Sequence, residues 1–204
     1  EAGECICLPT ETVYGLAADG VNAEAVAKIF QIKERPSFDP LIYHLAAGVD
    51  VSLVASEVPE VARQLMDRFW TGPLTLVLPK QQVVPEVATS GLETVAVRCP
   101  DHDVAQTLLK EFGKPVTAPS ANKFGRISPT TAQAVYEELG DAVGMILDGG
   151  PCRRGIESTI VDCSGDTLQL ARPGSLARED IEAVTGPLEV LAHDGPPSAP
   201  GMLK

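Results

Sequence analysis

The 204-residue sequence predicts an α/β domain built on a mixed, twisted sheet flanked by helices. Short apolar segments typical of strands alternate with segments of helical periodicity along the chain. The two ends of the chain look antiparallel, which favours a mixed sheet over a purely parallel one. Hydrophobic residues make up 44% of the chain and charged residues 22%, as in ordinary globular proteins.

In the first part of the chain, three buried strands alternate with two helices. The first helix begins after the cap residue Asn22 and ends near Lys33, because Val26, Ile29 and Phe30 share one helical face. The second helix covers the segment VPEVARQLMDRFW. The strands are the segments ECICLP, PLIYHLA and LTLVL.

The remainder of the chain predicts five more strands and three more helices. Thr130 or Thr131 caps the second of these helices. A Gly-Asp turn joins the last two strands and predicts a hairpin. The strands are TVAVRCP, PVTAPSAN, GMILDGG, STIVDC and TLQLARPG, and the helices are DVAQTLLKEF, TTAQAVYEEL and REDIEAVTG.

The charge balance argues against a nucleic-acid-binding surface. The formal net charge is −12, and no basic run is longer than Arg153–Arg154. Strong direct binding of RNA or DNA is therefore not expected. The net negative charge is still compatible with a small anion bound in a local cationic pocket. No apolar run approaches the roughly 18 residues of a membrane span and no signal peptide is visible, so we expect a cytoplasmic protein.

The five cysteines include no C-x-x-C pair and predict buried, reduced thiols rather than a zinc site. We therefore predict no metal held by the protein's own ligands. The segment 191–204 is rich in Pro, Gly and Ser and predicts the start of an interdomain linker. Residues 1–190 then form the domain, and we expect the natural chain to continue beyond Lys204.

Sequence motifs for several common sites are absent. There is no phosphate-loop motif, no G-x-G-x-x-G, no G-x-S-x-G and no H-E-x-x-H. Polar clusters instead lie next to predicted strands, where α/β sheets usually place their ligands. These clusters are PTETVYG, IKERP, VRCPDH, TAPSAN, GRISP, GIEST and ARPG.

Lys33 and Arg35 lie where the first helix must stop, because Pro36 pushes the preceding residue into an extended conformation. If the chain has left the helix by Lys33, the two side chains point the same way and form a clamp for an anion. The alternative is a pair of solvated charges at a helix end, where the macrodipole favours cations.

Other residues add to an anion site or have simpler explanations. Arg98 and Arg172 each end a hydrophobic strand, and with Lys33 and Arg35 they would form a four-cation pocket. Ser120, Asn122 and Ser128 suit a phosphate-holding loop, or a turn whose side chains cap their own backbone. His44, within an apolar strand, is either a core histidine or a site residue.

Together, the quoted motifs resemble the YrdC-like family over nearly the whole span from Pro9 to Gly174. The resemblance implies a twisted mixed sheet around a large cationic cavity. It also implies synthesis of L-threonylcarbamoyladenylate and pyrophosphate from L-threonine, bicarbonate or CO2, and ATP. The product would pass to a transferase complex that makes threonylcarbamoyladenosine in tRNA.

The resemblance also implies roles for individual residues. Lys33 and Arg35 would face the ATP phosphates as the catalytic pair. The threonine pocket would comprise Thr12, His44, Arg98, Ala118 and Ser158. The nucleotide site would comprise Arg35, Asp39, Thr94, Ser120, Asn122, Ser128 and Arg172.

Asp39 departs from the family pattern, which often has Asn there, and it would add a negative charge near the nucleotide. Mg2+ is expected to arrive with ATP rather than to occupy a dedicated protein cage. Three alternatives remain: a double-stranded RNA-binding module, a carbamoyl-transfer domain, and a regulatory domain that holds ATP without turnover. The acidic balance argues against the first, and the linker-like ending argues against the second.

Overall fold

A computed structural model of the chain describes residues 3–36, 38–190 and 199–200, and within them ten strands form one mixed sheet. The strands are β1 (Ile6–Leu8), β2 (Gly15–Asp19), β3 (Ile42–His44), β4 (Leu74–Pro79), β5 (Thr94–Arg98), β6 (Val116–Thr117), β7 (Met145–Ile146), β8 (Thr159–Asp162), β9 (Gln169–Arg172) and β10 (Glu189–Val190). Their order is β10-β9-β8-β4-β5-β3-β6-β2-β1-β7. Parallel and antiparallel pairs both occur, which confirms the predicted mixed sheet.

The helices largely follow the predicted segments. They are α1 (Ala23–Lys33), α2 (Glu60–Phe69), α3 (Glu86–Thr89), α4 (Asp103–Phe112), α5 (Ala132–Leu139) and α6 (Arg178–Thr185). The side chain of Asn22 caps α1 by accepting hydrogen bonds from two backbone N–H groups. Thr131, rather than Thr130, caps α5. The predicted hairpin is confirmed, because β8 and β9 pair antiparallel.

Among the strands and α-helices of the described residues, three were not predicted: β2, the one-turn helix α3 and β10. The sequence of β2, GLAAD, has low intrinsic strand propensity, and the strand is paired on both sides by β1 and β6. Strand β6 is shorter than the segment PVTAPSAN suggests. Pro119 has no backbone N–H and cannot extend the ladder as a donor.

The two faces of the sheet bury different sets of side chains. Tyr43 and Val97 point into the main core. The alternate residues Ile42 and Ala96 point to the other face, where Ala199 packs with them. His44 and Arg98 lie two residues after Ile42 and Ala96 on the same strands, so they share this second face. We call it the cleft face.

Four of the five cysteines are buried, and all are free thiols. Burial raises the pKa of the Cys7 and Cys163 thiols to about 12, which makes them poor nucleophiles at neutral pH. No helix in the described part of the chain is long and apolar enough to cross a bilayer. Apart from Ala199 and Pro200, the predicted linker over 191–204 lies outside the described residues.

Candidate active site

A cleft of about 240 Å³ opens on the cleft face of the sheet. Segments that are distant in sequence meet there, chiefly the residues around β3, the ends of β5 and β9, and the loop after β6. Eleven of the thirteen predicted site residues line it: Thr12, Lys33, Arg35, Asp39, His44, Arg98, Ala118, Ser120, Asn122, Ser128 and Arg172. The structure therefore brings most of the predicted site together.

Lys33 and Arg35 both line the cleft, but not because the chain is extended from Lys33 onward. Lys33 is the last residue of α1, and Glu34 adopts a left-handed conformation with φ of 52°. The N–H of Arg35 then returns to the carbonyl of Phe30, which closes the helix end. One left-handed residue thus turns two flanking cations toward the same space, while Glu34 faces solvent.

Arg35 is held by several contacts before any ligand binds. Its Nη2 lies 2.7 Å from the Asp39 carboxylate, and both side chains are buried. The guanidinium also donates to the backbone carbonyls of Asp39 and Pro40, at 3.2 and 2.9 Å. The negative charge expected from Asp39 is therefore paired with Arg35, and the two side chains restrain each other.

Lys33 connects α1 to the loop after β6. Its ammonium donates to the backbone carbonyl of Ser120 and, at 2.5 Å, to that of Asn122. Burial, with the nearby charge of Arg35, lowers the pKa of Lys33 to about 7. The carbonyl contacts favour the ammonium, whereas burial favours the neutral amine. Lys33 therefore positions this loop as well as lining the cleft.

The loop after β6 has features of both predicted structures, a phosphate-holding loop and a turn whose side chains cap their own backbone. Asn122 donates through Nδ2 to the carbonyls of Lys123 and Arg126, both at 2.8 Å, so its side chain braces its own turn. Its Oδ1 is buried and has no hydrogen-bond partner among the described residues. Ser120 pairs with Gly15 across a bridge that links the loop to β2.

One end of the cleft, which we call the buried end, consists of Glu11, Thr12, His44 and Arg98. The Arg98 guanidinium lies 2.6 Å from Glu11 Oε1, and it donates to Thr12 Oγ1 at 2.9 Å and to the Gly72 carbonyl at 3.2 Å. All four side chains are almost fully buried. The buried end is thus an ion pair surrounded by protein.

His44 lies beside Arg98 because β3 and β5 are parallel and the two residues share a register. Its Nδ1 lies 3.2 Å from the carbonyl oxygen of Ile42. This contact assigns the proton to Nδ1 and leaves Nε2 as an acceptor. Burial, together with the charge of Arg98, lowers the pKa of His44 to about 3, so the ring is neutral.

The other end, which we call the open end, consists of Lys33, Arg35, Ser128, Glu157 and Arg172. Arg172 donates to the Ser158 carbonyl at 2.9 Å and to the Ser158 hydroxyl at 3.1 Å. Ser128 donates to Glu157 Oε1 at 2.7 Å. Glu157 Oε2 lies 3.8 Å from Arg172 Nη2. Its carboxylate is the more exposed partner, at 35%.

Two predicted residues do not line the cleft. Ser158 is fully buried behind the wall, where its hydroxyl contacts Thr75 and Arg172, so it supports Arg172. Thr94 shares the cleft face of β5 with Arg98 but lies four residues earlier, about 13 Å along the strand. The binding roles assigned to these two residues stay predictions.

Two acidic residues were missed, although both lie in motifs that the sequence singled out. Glu11 belongs to PTETVYG and pairs with Arg98, while Glu157 belongs to GIEST and faces the open end. The signal that could have found them is the carboxylate within each of these two polar motifs, because buried cations require acidic partners. The four cations do converge, but the pocket is less cationic than their number alone suggests.

Comparison with known proteins identifies the same family as the sequence motifs do. The model of the Sua5–YciO–YrdC family, described as telomere recombination, matches residues 1–174. A threonylcarbamoyl-AMP synthase of Pyrococcus abyssi is 47% identical over 188 residues, covering 92% of this chain. One of Bacillus subtilis is 46% identical over 204 residues, covering 98%. The chain spans only 55% and 59% of these relatives' lengths.

A solved structure also matches closely. The crystal structure of P. abyssi Sua5 complexed with L-threonine has a TM-score of 0.95 and 46% identity. The match covers 98% of this chain and 60% of that one. The fold described above is therefore that of P. abyssi Sua5.

Proposed function

Because this chain belongs to the Sua5–YciO–YrdC family, we propose that it forms L-threonylcarbamoyl-AMP and pyrophosphate from L-threonine, bicarbonate or CO2, and ATP. The observation that carries the proposal is the cleft itself. In a molecule of net charge −12, five cations from four segments of the chain line one cavity: Lys33, Arg35, Arg98, Arg126 and Arg172. Such a concentration of cations suits a carboxylate and a polyphosphate bound together.

The buried end suits threonine. The Arg98 guanidinium is planar and can pair with a carboxylate, and Thr12 already fixes its orientation. Neutral His44 presents an acceptor nitrogen for the substrate's amine or hydroxyl. Ala118 would contribute backbone groups on the same wall. The P. abyssi structure with L-threonine supports this assignment.

The open end suits the nucleotide phosphates. The threonine amine adds to CO2 and loses a proton to form a carbamate. A carbamate oxygen then attacks the α-phosphorus of ATP, and pyrophosphate leaves. Neither step requires a protein nucleophile, so the protein supplies alignment and positive charge. Lys33 and Arg35 would stabilise the charge that develops on the phosphorus centre and the leaving group.

Mg2+ would enter with ATP, bound to the phosphates. No cluster of three or more potential metal ligands occurs in the described ranges, and the two carboxylates that line the cleft, Asp39 and Glu157, already contact cations. These residues fit a metal brought by the substrate better than a resident one. The product would pass to a tRNA threonylcarbamoyl transferase complex in the cytoplasm.

The decisive experiment is a pyrophosphate-release assay with each substrate omitted in turn. We expect release from ATP only when both threonine and bicarbonate are present. Release without threonine would indicate a different acceptor, and ATP binding without release would indicate a regulatory domain. A gel shift with double-stranded RNA at physiological salt tests the RNA-binding alternative. No shift is expected, because the protein carries a net negative charge.

A further inference from the structure

Glu157 differs from the carboxylates that pair with Arg98 and Arg35. Glu11 and Asp39 lie 2.6 and 2.7 Å from their arginine partners, and each is only 2% exposed. Glu157 lies 3.8 Å from Arg172 and is 35% exposed. Glu11 and Asp39 are therefore tightly paired with their arginines, whereas the Glu157 carboxylate is only loosely paired with Arg172 and borders the open space.

The backbone beneath Glu157 is fixed, so only its side chain can move. The Glu157 carbonyl accepts a hydrogen bond from the N–H of Ser175 at 2.9 Å. Gly174 packs so closely that an added Cβ would lie 2.4 Å from the Ser158 carbonyl carbon. A movement of the carboxylate therefore means rotation about side-chain bonds, with the loop unchanged.

The groups that hold the Glu157 carboxylate are those expected to hold phosphate. Ser128 donates to one oxygen at 2.7 Å, and Arg172 faces the other. Burial lowers the pKa of Lys33, Arg35 and Arg172, and the Glu157 charge opposes that effect at all three. Asp39 acts on the same three cations, so the two carboxylates share the role of counter-ion in the open end.

We propose that the Glu157 carboxylate occupies an oxyanion subsite, formed by Ser128 and Arg172, and swings out when a polyphosphate binds. A carboxylate oxygen and a phosphate oxygen accept from the same donors, so the single Ser128 proton cannot serve both. The Glu157 charge then weakens polyphosphate binding and, after reaction, competes with pyrophosphate for these donors. Glu157 would set the affinity of the open end and promote release. This inference rests on the proposed function.

Glu157→Gln tests the proposal, because the amide oxygen can still accept from Ser128 while the charge is gone. We expect the variant to bind inorganic pyrophosphate about 10-fold more tightly than wild type in isothermal titration calorimetry, since like charges in one pocket repel. Pyrophosphate should also inhibit turnover at correspondingly lower concentration. Glu157→Ala, which empties the subsite, should bind at least as tightly as the Gln variant.

Glu93→Gln is the matched control, because it removes the same charge from an exposed carboxylate that faces Lys80 away from the cleft. Its affinity for pyrophosphate should stay within about 2-fold of wild type. Equal or weaker binding by both Glu157 variants, in a wild-type protein that still shows substrate-dependent turnover, would overturn this inference and leave the proposed function intact. Weaker binding only when Mg2+ is present would make Glu157 a metal ligand and also overturn it. Absence of pyrophosphate binding and of turnover in wild type would overturn both proposals.

Discussion

The two ends of the cleft use the same kinds of residue in different ways. At the buried end, Arg98 contacts Glu11 and Thr12 within 2.9 Å, and all three are almost fully buried. At the open end, Asp39 holds Arg35 just as closely, at 2.7 Å, but Arg172 faces Glu157 at 3.8 Å and the Glu157 carboxylate is partly exposed. Tight internal pairing favours one rigid geometry, whereas loose pairing permits exchange of partners.

This difference matches what each end would bind. A small amino acid gains from a preformed pocket, because little ordering remains to oppose binding. A polyphosphate is larger and more charged, and its product must leave after each cycle. The following experiments test whether the ends differ in this way, beginning with the change expected to have the largest effect.

Arg98→Ala should have the largest effect, because it leaves Glu11 as a buried charge without its cation. Breaking a buried pair costs about 3–5 kcal/mol of unfolding free energy. We also expect the threonine Michaelis constant to rise by about 100-fold while that for ATP changes little. Urea unfolding and steady-state kinetics measure the two effects separately.

The control is the double variant Arg98→Met with Glu11→Gln, which removes both charges. It should recover much of the lost stability but not the threonine affinity. If ATP affinity falls instead of threonine affinity, the assignment of the two ends is reversed.

Arg35→Ala should lower turnover with little effect on threonine affinity, and it should also lower stability because the buried Asp39 carboxylate loses its arginine. Loss of one group that stabilises developing charge typically lowers turnover by about 100-fold or more. Threonine affinity should change by less than about 3-fold, because Arg35 lies at the open end. Arg35→Lys keeps the charge without the two-pronged geometry and should be intermediate. Equal losses of turnover and threonine affinity would contradict a separation between the ends.

The lowered pKa of Lys33 predicts that the free energy of unfolding depends on pH. Burial lowers its pKa from 10.5 to about 7 in the folded state, so the unfolded chain binds more protons between these values. The contribution of Lys33 to stability should therefore rise with pH across that window, by at most about 1.4 kcal/mol per pH unit. Urea unfolding of wild type and Lys33→Met at both ends of the window measures this difference. A difference that is constant with pH would contradict the shifted pKa.

Glu34→Gly should have the smallest effect, and it should be stabilising. Glu34 has φ of 52°, a conformation that costs a non-glycine residue about 1 kcal/mol. Its exposed ion pair with Lys123 contributes less than that. We expect a gain of about 0.5 kcal/mol in thermal unfolding with unchanged turnover. Glu34→Ala, which keeps the strain and loses the pair, should not be stabilised.

The sequence predicted the elements whose local signals agree with the fold. Helix α4 begins and ends as its pattern indicates, and Asn22 and Thr131 act as caps. Strand β2 was missed because its alanines carry no strand signal and its partners lie elsewhere in the chain. Such long-range pairing cannot be read from a local window.

In the candidate site, too, the residues with local sequence signals were predicted and those that depend on long-range pairing were not. The individual cations could be recognised in the sequence, because each lies at the end of a predicted helix or strand and close to a proline. Their acidic partners did not, since Glu11 and Glu157 meet Arg98 and Arg172 only through the sheet topology. The left-handed residue Glu34 was also unpredicted, because its conformation depends on how α1 ends against its neighbours.

Pro200 has a practical consequence for experiments on this domain. Its carbonyl lies 3.5 Å from Arg172 Nη1, and Ala199 before it is buried against the sheet. A fluorescent label attached at position 200 would therefore lie at the cleft and report on ligands that reach Arg172, whereas a label at Gly3, which lies outside the cleft, would not.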